Sequence, residues 1–291
     1  MDSPEVVSPK LARWSWALLW LTVGVIVGGS LVRATGSGDG CGDSWPRCQG
    51  SLFPLDGGTE TTIEFAHRAA TAVLGIVLVA FVIAAFRIGP GGKLIRRALA
   101  WVAGFFLGEV VIGAVLVLFQ WVDTDASLGR VIVVPLHLVN TFLLVGATVL
   151  VVHVANGGTW PRYDHSRQSN RYGLVILGVL LLVGATGALN ALADTLFPPD
   201  SLLEGIREEF GPTAPFLVRL RVLHPFVAIL GGIGIVMALR SEAFDGAGRV
   251  RRLANLAAAV VGVEAVIGII NVALLTPVEV QLIHLLVADV A

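Results

Sequence analysis

Residues 67–86 read HRAATAVLGIVLVAFVIAAF, with Arg68 as the one formal charge. The run has about the 20 apolar residues that an α-helix needs to cross a bilayer. Lipid offers no water to unpaired backbone groups, and a spanning barrel strand would alternate polar and apolar positions, which this stretch does not. It therefore predicts a transmembrane helix. Its first residue, His67, is a side chain that lipid penalises unless it has a partner or a task.

Runs of the same kind recur along the chain. Eight candidate spans fall near 14–32, 67–86, 98–119, 131–154, 172–193, 216–239, 253–275 and 278–291. The 291 residues are 55% hydrophobic and 14% charged, where a soluble domain carries roughly 25% charged residues, and the mean hydropathy is +0.82. The fold class predicted is an all-α polytopic membrane protein. No basic or nucleic-acid-binding motif is present, so nucleic acid is not an expected partner; the lipid bilayer is. The first run is long enough to span and lacks a small-residue cleavage site, so it reads as a retained helix. The last would reach only about 21 Å at 1.5 Å per residue, the shortest of the eight.

Basic residues set the expected orientation. Thirteen of the 20 fall on one side: Lys10, Arg13, Arg87, Lys93, Arg96, Arg97, Arg162, Arg167, Arg171, Arg240, Arg249, Arg251 and Arg252. The other loops carry Asp39, Asp43, Asp123, Asp125, Asp200, Glu204, Glu208 and Glu209. A multi-pass protein of the bacterial plasma membrane with a cytoplasmic N-terminus is expected.

The chain also repeats itself. The His67 segment resembles HPFVAILGGIGIV from His224, Gly108-Glu109-Val110-Val111-Ile112-Gly113 resembles Val263-Glu264-Ala265-Val266-Ile267-Gly268, and Leu136-His137-Leu138 resembles Ile283-His284-Leu285, at offsets of 157, 155 and 147 residues. Two halves, 1–160 and 161–291, are expected as pseudo-symmetric four-helix bundles in the same membrane orientation.

Each half then has a histidine pair, His67 with His137 and His224 with His284, all toward the same face of the membrane. Bundle cores hold cofactors ligated from facing helices, and imidazoles on opposite sides of a flat ring suit six-coordinate haem iron. Capping or interfacial roles explain one histidine more easily than four in register. Zinc fits less well, since its structural sites want four close ligands, often with cysteine. His153 and His165 have no counterpart in the other half and read as structural.

Glu64 precedes His67 by three residues, whereas Arg221 holds that place before His224. A carboxylate one turn from a ligand can move protons at a bound group, and its plain alternative is an interfacial acid paired with Arg68. Arg68, Arg219 and Arg221 stand where they could meet haem propionates, or serve as interfacial cations. Glu109 and Glu264 fall near mid-membrane, where they must be protonated or paired; a packing role and a proton-handling role both remain open. The only cysteines, Cys41 and Cys48, share the first loop. A disulfide is expected there, either as a staple or as a redox pair.

These residues resemble the haem A synthase family. The resemblance rests on Leu31-Val32-Arg33-Ala34-Thr35-Gly36-Ser37-Gly38, Cys41, Trp45-Pro46, Cys48, Glu64-Phe65-Ala66-His67-Arg68, and on His137, His224 and His284. It implies oxidation of a methyl group of haem O to the formyl group of haem A by successive oxygen-dependent hydroxylations. It further implies that His224 and His284 ligate a resident haem b, which relays electrons. His67 and His137 would hold the substrate haem beside Glu64. The electron donor is not implied, and the haem O-forming enzyme is a plausible handover partner. Two features depart from the family: residues 194–215 lack the second cysteine pair of some members, and the last helix is short. The residues alone also fit a bis-histidine membrane cytochrome b for electron transfer, or a haem transporter or chaperone.

Overall fold

The computed structural model describes residues 9–54, 57–88, 92–244 and 248–290. Its helices in chain order are α1 (Pro9–Ala34), α2 (Thr59–Arg87), α3 (Lys93–Leu118), α4 (Leu128–Ala155), α5 (Gln168–Leu196), α6 (Leu202–Glu209), α7 (Phe216–Leu220), α8 (Leu223–Arg240), α9 (Gly248–Ala273) and α10 (Val278–Ala288). Among the described residues the one β pairing is an isolated bridge between Cys48 and Ser51. By length and composition this is an all-α, multi-pass membrane protein.

Among the described residues seven spans, not eight, are long and apolar enough to cross a membrane, with α7 and α8 together forming one, Phe216–Arg240. The eighth expected span contracts to α10, whose 11 residues cover roughly 16 Å of a hydrocarbon core about 30 Å thick. Positive φ angles at Leu275 and Thr276 and the extended Pro277 start α10 afresh after α9, and it ends at Asp289. Ala291, the end of that expected span, lies outside the described residues. The sixth span, expected to be continuous, is broken at Arg221 and Val222. Pro225 explains the break: it has no N–H for the carbonyl four residues back, Arg221, and its ring crowds that carbonyl.

The chain divides into two compact units, residues 1–125 with 140–162 and residues 126–139 with 163–291. The boundary falls inside α4. Unit 1 buries Leu18 of α1, Leu74, Leu78 and Phe81 of α2, Ile95, Leu99 and Val102 of α3, and Val151 and Val154 of α4 in one cluster. Unit 2 has two clusters. Ile235 and Leu239 of α8 meet Ala254 and Ala258 of α9, where the small side chains let the helices approach closely. Leu192 and Ala193 of α5 meet Leu217 of α7 and Val131 of α4.

Candidate functional site

In unit 1 the chemistry-bearing side chains gather at the start of α2. Glu64 is 3% exposed. Its Oε2 accepts the backbone N–H of Cys41 at 2.7 Å, and its Oε1 accepts from Arg68 Nε at 3.0 Å. Arg68 Nη1 donates to the carbonyls of Ser44 and Arg47, each at 2.8 Å. Cys41 and Cys48 are joined by a disulfide, so all three backbone groups belong to one closed loop. A buried ion pair on α2 thus grips that loop. Thr61 Oγ1 adds a bond to the Gly40 carbonyl at 2.7 Å. Gly40 must be glycine: a Cβ there would lie 2.4 Å from the Glu60 carbonyl carbon. Removing either partner of such a buried pair leaves a desolvated charge, at about 3–5 kcal/mol.

His67 packs on α1, where a Cβ on Gly29 would come within 2.9 Å of its Cε1. The ring therefore occupies the place of a missing side chain. His137 lies on the N-terminal stretch of α4 that groups with unit 2.

In unit 2 the rings of His224 (α8) and His284 (α10) face each other with centroids 6.4 Å apart and planes at 72°. Two metal–nitrogen bonds of about 2 Å each, plus the ring radii, add up to a separation of this size. Each ring again sits on a glycine: a Cβ on Gly187 would lie 3.0 Å from His224 Cε1, and one on Gly268 3.1 Å from His284 Cε1. His224 Nδ1 lies 3.4 Å from Thr186 Oγ1. His284 Nδ1 lies 2.9 Å from Glu264 Oε1. The donor set, two imidazoles brought together from different helices, fits a bis-histidine haem. Among the described residues no group of three or more His, Cys, Asp or Glu could hold a metal ion, so zinc lacks its usual ligand set.

Arg221, in the place of Glu64, is 6% exposed and pairs with Asp194 of α5 at 2.9 Å. Its Nη2 donates to the Phe197 carbonyl at 2.7 Å, so the cation closes the C-terminal end of α5. Asn190 Nδ2 donates to the other Asp194 oxygen at 2.7 Å. Beside this pair, burial pushes the Glu209 carboxyl above its ordinary range, opposed by Arg221 and reinforced by Asp194.

Several expectations meet these contacts. Arg68 and Arg221 are each committed to a carboxylate and to backbone carbonyls, and Arg219 donates to the Pro212 carbonyl at 2.7 Å. His153 Nε2 meets the Thr159 carbonyl at 3.0 Å, and His165 stacks edge-on against Tyr163, both structural. Sequence reasoning passed over the glycines beneath the rings, although Gly29 and Gly187 are 158 residues apart, nearly the histidine offset. It also passed over Asp194, whose link to Arg221 runs between helices and leaves no local pattern.

The family described as COX15-CtaA, cytochrome oxidase assembly protein, matches residues 12–291. The chain belongs to this family. Among its relatives are proteins from two strains of Thermus thermophilus named "Protoheme IX farnesyltransferase", each 40% identical over 288 residues, covering 96% of this chain and 46% of the relative. An Exiguobacterium sibiricum "Heme A synthase" is 30% identical over 183 residues, 62% of this chain and 58% of the relative. A Staphylococcus epidermidis "Heme A synthase" is 42% identical over 96 residues, 33% of this chain and 32% of the relative. This COX15-CtaA chain thus spans about half the length of the Thermus relatives it matches.

Proposed function

We propose that this chain is a haem A synthase, oxidising the methyl group of haem O to the formyl group of haem A. The observation that carries the reading is the facing of His224 and His284 at 6.4 Å in a chain of the COX15-CtaA family. Two relatives named "Heme A synthase" support it. Haem b would be held by His224 and His284 and, when bound, supplies reversible one-electron chemistry. Haem O, the substrate, would be held by His67 and His137. Each hydroxylation takes up dioxygen with an electron pair and protons and releases water.

The chain's own residues then have distinct tasks. His67, seated over Gly29, binds and orients substrate. Glu64, one helical turn before it, holds a proton at its carboxylate for the reacting group, while Cys41 N–H and Arg68 fix that carboxylate in place. The loop closed by Cys41 and Cys48 covers this carboxylate, excludes water from it, and as a redox pair offers a route for electron entry. The architecture proposed is two pseudo-symmetric halves, 1–160 for substrate and 161–291 for haem b, in a bacterial plasma membrane with the N-terminus cytoplasmic. Handover from the haem O-forming enzyme is the proposed source of substrate; the electron donor is not assigned.

The test is pigment extraction after expression with a haem O source. Haem A should form only when this chain is present, and none from the wild-type chain would overturn the reading. Glu64→Gln, which keeps the shape and an acceptor oxygen, should stop haem A formation while haem b absorption persists; undiminished haem A would remove Glu64 from catalysis. The facing histidines also favour a second reading, a bis-histidine electron-transfer cytochrome, which would hold haem b and leave haem O unchanged.

A further inference from the structure

Glu109 and Glu264 occupy matching places in the sequence repeat, and the function proposed above uses neither. In unit 1, Glu109 Oε1 accepts from Asn140 Nδ2, which also donates to the Phe105 carbonyl at 2.8 Å, and Glu109 Oε2 accepts from Thr141 Oγ1 at 3.1 Å. That carboxylate receives neutral donors and ties α3 to α4. In unit 2, Glu264 Oε1 lies 2.9 Å from His284 Nδ1, an ion-pair approach whose angles fall short of a hydrogen bond. One turn further along α9, Gly268 leaves the space that the His284 ring fills. The helix carrying that ring, α10, has 11 residues and packs against α9. The orientation of His284 therefore depends on what α9 offers it.

We propose that Glu264 is the positioning residue for His284, engaging its Nδ1 so that Nε2 is presented toward His224 and the iron of a haem held between them. This rests on the haem b reading of the same site. A metal-bound imidazole has one nitrogen for the metal, and a carboxylate on the other fixes ring rotation and raises ligand basicity. Glu264 supplies that carboxylate from a long helix to a ligand on a short one.

The experiment uses the full chain purified in detergent, comparing wild type, Glu264→Gln, Glu264→Ala and the same alanine change in a His284→Ala background. Haem transfer to an excess of apo-globin measures retention, and electron paramagnetic resonance reports the low-spin axial ligands. Glu264→Ala should weaken haem retention about 10- to 100-fold and shift the low-spin signals. The isosteric Glu264→Gln should fold as wild type, fall between the two in retention and show its own shifted signals. In the His284→Ala background the alanine change should add nothing. Wild-type retention and signals in both Glu264 variants would overturn the inference alone, as would an equal loss without His284. A wild-type chain with no low-spin haem sensitive to His224→Ala would overturn the haem b reading and take this inference with it.

Discussion

Beside His67 and beside His224 the molecule buries a carboxylate–guanidinium pair, but the two pairs are built differently. In unit 1 both charges come from α2, Glu64 and Arg68, and the pair reaches out to a disulfide-closed loop. In unit 2 the cation stands on the histidine's own segment, the anion comes from α5, and the pair closes a helix end. At the place three residues before the histidine the sign is reversed. The difference teaches that a buried charge next to a candidate ligand has a structural duty first. Any loss of activity on changing Glu64 must be separated from release of the loop, since even glutamine sets an amide donor against one of the donors that Glu64 accepts. It teaches too that only unit 1 couples its ligand's neighbour to a feature that oxidation makes.

The comparison breaks most visibly at Arg221. Arg221→Ala leaves Asp194 buried without its cation and should destabilise unit 2 by about 3–5 kcal/mol, read as a lower midpoint in thermal unfolding. Replacing both partners, Arg221→Met with Asp194→Leu, should recover most of that loss, and failure to recover would mean the pair does more than neutralise itself. Next in size is the disulfide. Cys41→Ser with Cys48→Ser frees a loop with a sequence separation of 7, a chain-entropy effect of roughly 2–3 kcal/mol. Protease cleavage should appear in residues 41–48 while the haem b spectrum of unit 2 stays unchanged.

Gly187→Ala sharpens the comparison at the rings. Its methyl would crowd His224, an overpacking cost of roughly 1–3 kcal/mol, and should reduce haem b absorption; Gly29→Ala should leave that absorption intact and affect the unit 1 site. The smallest effect concerns pH. Burial raises the folded-state carboxyl of Glu209 above its ordinary value, so its protonated form is favoured by folding. Stability of the α6 segment should therefore be greatest in acid and decline as pH rises from the ordinary carboxylate range through the raised one. Hydrogen exchange in α6, corrected for its intrinsic pH dependence, should show that decline, and Glu209→Gln should flatten it.

The helices were legible because lipid demands long apolar runs, and seven of the eight expected spans are there. The eighth, expected at 278–291, is there as the shorter helix Val278–Ala288, starting where the sequence placed it. The break before His224 was within reach, since Pro225 marks it. The disulfide and the nearness of Glu64 to Arg68 were visible as spacing along the chain. The grip of Glu64 on Cys41 N–H, the source of Asp194 and the contact of Glu264 with His284 were not. Each joins residues 20 or more positions apart, and no periodicity reports which rotamers meet across helices.

The loop bonded to Glu64 and Arg68 has a practical consequence for handling the protein. Its clamp exists only after a thiol pair has been oxidised, so chain made where glutathione keeps thiols reduced emerges without it. Once formed, the bond is shielded, with Cys41 0% and Cys48 1% exposed, so later reduction waits on opening of the loop. Two samples of identical sequence and identical haem content can then differ in whether the carboxylate beside His67 is held, and an assay comparing laboratories, hosts or buffers compares thiol status before it compares enzymes.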